Sequence, residues 1–215
     1  MKPFAVPTLP SLPASLASLI PLALAAAALT CGCASAPDRY YTLASTPASA
    51  AAPLAEGASP MAIELAPVVM PERLARAQMV VRKNAEGSEL RVLEQHRWAT
   101  SFEIELRDAL ASGIASRLGA VDASRRAQPR AWRIAVQVRQ FDAVESSRVD
   151  AAFNWNIRRP ESDVGLTCAW RTSEPAGTEI ATLATSAQRA TAGLAEAVAR
   201  QVRAMQADPK AACVG

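Results

Sequence analysis

The chain has 215 residues, half of them apolar, with 15 prolines, 9 glycines and a formal charge of +3 from 23 basic and 20 acidic residues. That length suits one domain with a real core plus peripheral segments. The charge balance argues against a nucleic-acid partner: only Lys2, Lys83 and Lys210 are lysines, and the arginines are scattered without forming a basic stripe.

Lys2 is the only charged residue before Asp38, and Leu16 to Thr30 reads LASLIPLALAAAALT. An uncharged run in this position has the form of an export signal. It falls short of the roughly 20 strongly apolar residues of a bilayer span, and it contains Pro21. Cleavage needs small residues before the cut, and Gly32-Cys33 supplies the pair of a lipobox, although Thr30 stands where leucine is usual. Cys31 is the rival site, but the threonine before it is bulkier than Gly32. The expectation is a signal peptide over 1–32 and lipidation of Cys33 with palmitate-type chains. Each buried methylene adds about 0.8 kcal/mol, so several chains anchor stably where one does not. Ala34 and Ser35, rather than an aspartate, follow Cys33, and this suits an outer-membrane address.

Residues 33–60 then read as anchor, tether and flexible segment. They include a short β-prone patch over 40–43 (Tyr-Tyr-Thr-Leu) and an Ala/Pro/Ser-rich run from Ala44 to Pro60 that cannot build a core. The folded body is expected over 61–208, with a tail over 209–215. All four tryptophans, Trp98, Trp132, Trp155 and Trp170, fall within that body. Ile63 and Leu65 alternate with polar neighbours until Pro67 and Pro71 interrupt them. Gln78 to Lys83 and Glu89 to Leu93 flank an Asn84 to Ser88 turn and read as a hairpin. Residues 100–119 are the clearest helix. Thr100-Ser101-Phe102-Glu103 has capping-box spacing, Phe102, Leu106, Leu110, Ile114 and Leu118 recur every four residues, and Gly119 supplies a stop.

Three strands with period-two alternation follow. Trp132, Ile134, Val136 and Val138 share one face, as do Val149, Ala151, Phe153, Trp155 and Ile157, and then Val164, Leu166, Cys168 and Trp170. Thr178 to Thr185, after a Glu174 to Gly177 turn, reads as a fourth strand. Thr191 to Ala207 reads as a second helix with Leu194, Val198, Val202 and Met205 on its apolar face. The fold class expected is α+β: a mainly antiparallel, mixed sheet with two amphipathic helices packed on one face.

Chemistry-bearing motifs are few. No phosphate-binding glycine loop occurs, Gly113 to Ser116 fails the nucleophile-elbow spacing, and His96 is the only histidine. No cysteine pair has metal-ligand spacing. The expectation is therefore a protein that is not an enzyme and has no metal or cofactor. Glu103 with Glu105, and Glu94 near His96, read as solvated charges. Cys168 and Cys213 remain in an oxidising compartment. A disulfide between them and a free, buried Cys168 on its strand are equally open readings. The polar face carrying Asp150, Asn154, Asn156 and Arg158, continued by Arg139 and Arg171, reads either as a docking surface or as an ordinary wet sheet face.

The order of features has a parallel. Cys33 is followed by Tyr40-Tyr41-Thr42-Leu43, then by Ile63-Glu64-Leu65-Ala66-Pro67-Val68-Val69-Met70-Pro71-Glu72-Arg73-Leu74. Gln78-Met79-Val80-Val81-Arg82 comes next, and Arg97-Trp98-Ala99 opens the long helix. In this order the chain resembles the ABC-type transport auxiliary lipoproteins, the PqiC (YmbA) family. The resemblance implies a periplasm-facing lipoprotein of the outer membrane. Its expected partner is an MCE-domain protein, in a system that moves phospholipid between membranes, supports envelope integrity and draws energy from a separate ATPase. Association with further copies of itself is compatible with this reading. A periplasmic lipid-binding carrier with an internal apolar pocket is the alternative, and an envelope hydrolase is a third reading that the motif search disfavours.

Overall fold

The computed structural model describes residues 36–44, 61–124, 130–160, 162 and 164–214. The expected signal peptide, Cys33 and the Ala/Pro/Ser run from 45 onward to 60 lie outside the described residues. The fold is that of the unit Asp38–Gly215.

The sheet is organised around its longest strand, β6 (Trp132–Val144), whose inward side chains alternate with exposed ones. One edge of β6 pairs antiparallel with β7 (Arg148–Arg158), from Arg133↔Arg158 to Val144↔Arg148, with a bulge between Val138 and Gln140. β7 in turn pairs antiparallel with β8 (Gly165–Pro175) along its whole length. The other edge of β6 receives the chain between residues 62 and 82, running parallel in three pieces. β2 (Ala62–Leu65) pairs at Ile63↔Trp132 to Leu65↔Ile134, Val69 bridges Gln137, and β3 (Gln78–Arg82) pairs at Val81↔Ala143 and Arg82↔Val144. Between the bridge and β3 the chain leaves the ladder after Pro71, which has no N–H to donate. There it makes a single 3-10 turn, Glu72–Leu74, that drops Leu74 into the core.

The predicted hairpin is present and longer than its sequence pattern indicated. β4 (Leu90–Trp98) pairs antiparallel with β3 and runs on to Trp98, where it takes β1 (Arg39–Tyr41) as a parallel partner. Three residues after the first helix ends at Leu118, β5 (Val121–Asp122) adds to β2. The result is an eight-stranded mixed sheet in which the antiparallel ladders carry most of the pairing.

α1 (Phe102–Leu118) buries the predicted stripe: Phe102, Leu106, Leu110 and Ile114 are all buried, with Leu118 half-exposed at its end. The expected capping box does not form. Ser101, not Thr100, is the N-cap and accepts from the Ile104 N–H, which moves Glu103 out of the reciprocal position. Gly119 closes the helix at φ +60, the left-handed backbone that favours glycine.

The expected strand at Thr178 to Thr185 is a correction. β8 continues to Pro175, and α2 (Ile180–Ala207) begins eleven residues earlier than its apolar pattern suggested. The threonines and isoleucine of this stretch favour strands intrinsically. Burial of Leu183, Ala184, Ala187 and Ala190 at helical spacing outweighs that preference. Thr182 and Thr185 turn their hydroxyls back onto the carbonyls of Glu179 and Ala181.

The two helices touch each other, with α1 over β2 and β5 and α2 over β6, β7 and β8, so both lie on one face. Gly193 allows the close approach of α2 to β8: a Cβ there would stand 3.0 Å from the Trp170 ring. A ladder of rings, Trp98, Phe102, Phe141, Phe153 and Trp170, runs through the core at centroid separations of 4.7 to 6.4 Å.

The C-terminal residues are tied to this body. Cys168, buried on β8, is joined to Cys213 in a disulfide with a Cα–Cα distance of 5.7 Å. The buried Gln201 amide donates to the Ala212 carbonyl at 3.0 Å and accepts from the Val214 N–H at 2.7 Å. Among the described residues, no helix is long and apolar enough to cross a membrane.

Candidate docking surface

With both helices on one side, no helix or strand among the described residues covers the opposite face of the sheet. The residues singled out in the sequence fall on it together. Strand register places Arg133, Arg158 and Gly165 in one row, Ala135, Asn156 and Thr167 in the next, and Gln137, Asn154 and Ala169 in a third. Gln140, Ala152 and Arg171 form a fourth row, and Asp142, Asp150 and Ser173 a fifth. Arg139, left unpaired by the bulge, is exposed beside Gln140.

The polar groups of this face divide into two classes. Asp150 is engaged: Arg148 Nε donates to it at 2.8 Å and Ser173 Oγ at 2.6 Å. Asp142 accepts from Arg82 at 3.1 Å and from Gln140 at 2.8 Å. Asn156 donates to Thr167 Oγ1 at 3.0 Å, and Arg133 lies 4.0 Å from Glu64. The side chains of Arg139, Arg158 and Arg171, by contrast, make no hydrogen bond or ion pair among the described residues, and all three are exposed. Every acid of the face therefore already has an arginine, while three arginines have no acid. Two aliphatic positions border this panel: Val69, at 60% exposure, beside Gln137, and, roughly 20 Å further along β6, Val92, at 40%, opposite the half-buried Val80.

Two of the acids read from sequence as solvated have structural work. Glu105 on α1 accepts from Thr42 Oγ1 at 2.8 Å and from the Leu43 N–H at 3.0 Å, clamping the chain as it leaves β1. Glu94 takes a hydrogen bond from Gln78 at 3.3 Å. His96 shares a hydrogen bond of 2.9 Å with the Tyr41 hydroxyl and stacks on that ring. Burial, and then the charge of Arg39, push its pKa below the ordinary 6.5. These contacts hold β1 to β4.

Under the helices the described core is tightly filled. The apolar cavity between Leu74, Met79, Trp98, Phe102, Phe141 and Leu183 has a volume of about 10 Å³, near that of one water-sized sphere. Two larger spaces are open grooves. One of about 500 Å³ runs between β4 and the start of α2, where Arg91 pairs with Glu145 at 2.9 Å. One of about 380 Å³ lies between Val164, Leu166, Met205 and Lys210 at the far end. Among the described residues, no group of three or more His, Cys, Asp or Glu is placed to hold a metal ion.

Comparisons with known proteins agree with this architecture. An uncharacterized protein of known crystal structure superposes with a TM-score of 0.61 at 16% identity, covering 78% of this chain and 99% of its own. Protein XCC0632 from Xanthomonas campestris, of the DUF330 family, superposes with a TM-score of 0.58 at 18% identity, covering 80% of this chain and 99% of its own. At these identities the likeness shows the fold. No curated protein matches the sequence. The sequence model of the ABC-type transport auxiliary lipoprotein component matches residues 41–199, from β1 through most of α2. That span takes in α1, most of α2, strands β2 to β8 and the open face, and the chain belongs to the ABC-type transport auxiliary lipoprotein family.

Proposed function

We propose that this protein is the membrane-anchored auxiliary lipoprotein of an MCE-type intermembrane lipid transport system. Acyl chains on Cys33 hold it at the periplasmic face of the outer membrane, where it receives the transport assembly and supports envelope integrity. It acts as an adaptor and not as an enzyme, and a separate ATPase supplies the energy. The observation that carries this reading is the family match over residues 41–199, since that family consists of auxiliary components of transport systems. The Gly32-Cys33 pair after an uncharged run, with Ala34 and Ser35 following, supports the anchor and its address. Six residues from Cys33 to Arg39 span at most about 20 Å, so the partner must come close to the membrane to meet the body.

The filled core favours an adaptor over a carrier. A site for a lipid-sized ligand needs roughly 300 Å³ or more of apolar enclosure, and the core cavity provides about 10 Å³. The test is in-cell photo-crosslinking of the lipidated protein with a Cys33→Ala control, followed by identification of captured proteins by mass spectrometry. Capture of an MCE-domain protein that depends on Cys33 is the expected result. Capture of unrelated envelope proteins alone would overturn the assignment.

A further inference from the structure

We infer that the sheet face opposite the two helices is the surface by which this adaptor grips its transport protein, and that it takes an acidic segment of that partner between Arg158 at one end and Arg139 with Arg171 at the other. The inference rests on the transport-adaptor reading and adds to it the surface and the chemistry of what binds there.

The charge pattern carries the argument. Glu64, Asp142 and Asp150 each face an arginine of this same domain, whereas Arg139, Arg158 and Arg171 are exposed and have no counter-ion among the described residues. Arg158 sits opposite Gly165 on β8, and Arg171 lies six residues further along that strand. At roughly 3.4 Å per residue the two guanidinium-bearing positions stand about 20 Å apart. Arg139 is beside Gln140, which faces Ala152 and, beyond it, Arg171. Two strand spacings, about 10 Å, therefore separate the two arginines of the second cluster. Arg133 and Arg158 also stand directly opposite each other; Glu64 lies 4.0 Å from Arg133, which leaves Arg158 as the member of the pair without an acid.

Between the two arginine clusters the face is uncharged, made of Ala135, Gln137, Asn154, Asn156, Thr167 and Ala169. Ala152 is only 9% exposed, sunk between its longer neighbours. Amides and hydroxyls over a rigid sheet suit a polypeptide that needs donors and acceptors along its length. Planar guanidinium forks suit carboxylates. Val69, exposed beside Gln137 at the edge of this panel, provides apolar area of the kind a protein interface uses beside its arginines. An anionic bilayer is a poorer match. Lipid-binding surfaces cluster several basic residues together, whereas these are spread across an uncharged panel.

A photo-crosslinking residue is placed at Asn154, in the centre of the face, or at Asp108, exposed on α1 on the opposite side. Each is tested in the full-length protein in cells, alone and with R139E/R158E/R171E. Capture of the transport protein from Asn154 and not from Asp108, with linked peptides rich in Asp and Glu, is expected. The triple charge reversal should lower that capture on the order of tenfold, as loss of electrostatic steering does, and leave the melting temperature unchanged. Capture of the transport protein from Asp108 alone would overturn the surface assignment and leave the adaptor role standing. Its absence from both sites would overturn the role itself. Linking of Asn154 to lipid or to a second copy of this chain would overturn the acidic-segment assignment.

Discussion

Cutting the Cys168–Cys213 link should destabilise the domain far more than loss of a few C-terminal contacts would. The bridge spans 45 residues of sequence and encloses the end of β8 and all of α2. Opening it returns chain entropy to the unfolded state, and for a loop of that length the entropic relation gives about 4 kcal/mol at 25 °C. Cys213→Ser is the cleaner perturbation. Cys213 is exposed, whereas the buried Cys168 would remain as a small apolar side chain in an unchanged core. At roughly 2 to 4 °C per kcal/mol for a domain of this size, the melting temperature should fall by about 8 to 16 °C. The assay is urea unfolding followed by far-UV circular dichroism, comparing oxidised wild type, reduced wild type and Cys213→Ser. The reduced and mutant proteins should coincide, both well below the oxidised one. A shift below about 1 kcal/mol would refute the reasoning, because the Gln201 clamp and the buried face of α2 would then hold the tail unaided.

Leu106→Ala, at a side chain with no exposed surface under α1, should cost about 2 to 5 kcal/mol in the same urea assay, whereas a change at the exposed Asp108 should stay within about 0.5 kcal/mol. Glu105→Ala should cost about 1 kcal/mol and speed hydrogen exchange at the Leu43 amide, which it accepts from; unchanged exchange there would mean the clamp is not what holds β1. The folded pKa of His96 lies below 6.5, so between that value and 6.5 the unfolded chain binds the extra proton. Stability should therefore fall as pH drops through that window and be fully present above it. His96→Gln should flatten this slope between pH 7.5 and 5.5, and an unaltered slope would assign the pH dependence to another group.

The elements with strict periodicity were readable from the sequence. The four-residue stripe of α1 and the alternation of β6, β7 and β8 each had one face to bury, and burial fixed both their type and their side. The start of α2 was not readable, because Ile180, Thr182 and Thr185 are β-prone residues and only contact with the sheet selects the helix. β5, two residues long with both residues exposed, has no periodicity to detect. The chain's threefold parallel alignment along β6 depends on contacts between residues 62 to 69 positions apart, which local patterns do not encode. For the docking face, alternation correctly gathered Asp150, Asn154, Asn156, Arg158, Arg139 and Arg171 on one side. Only the geometry separates the acids and amides already engaged from the three arginines left without partners. The pairing of the cysteines likewise needed the path of the tail, which Gln201 directs back across β8.

The most direct test of an anchored transport adaptor is complementation of the envelope barrier. In a strain lacking this gene, detergent survival would be measured with wild-type protein, with Cys33→Ala, and with no protein restored. Wild type should restore survival, and Cys33→Ala, exported at equal level, should behave like the empty strain, because an unanchored body cannot hold the assembly at the membrane. Full restoration by Cys33→Ala would contradict the account, since the folded domain would then do its work without being tethered.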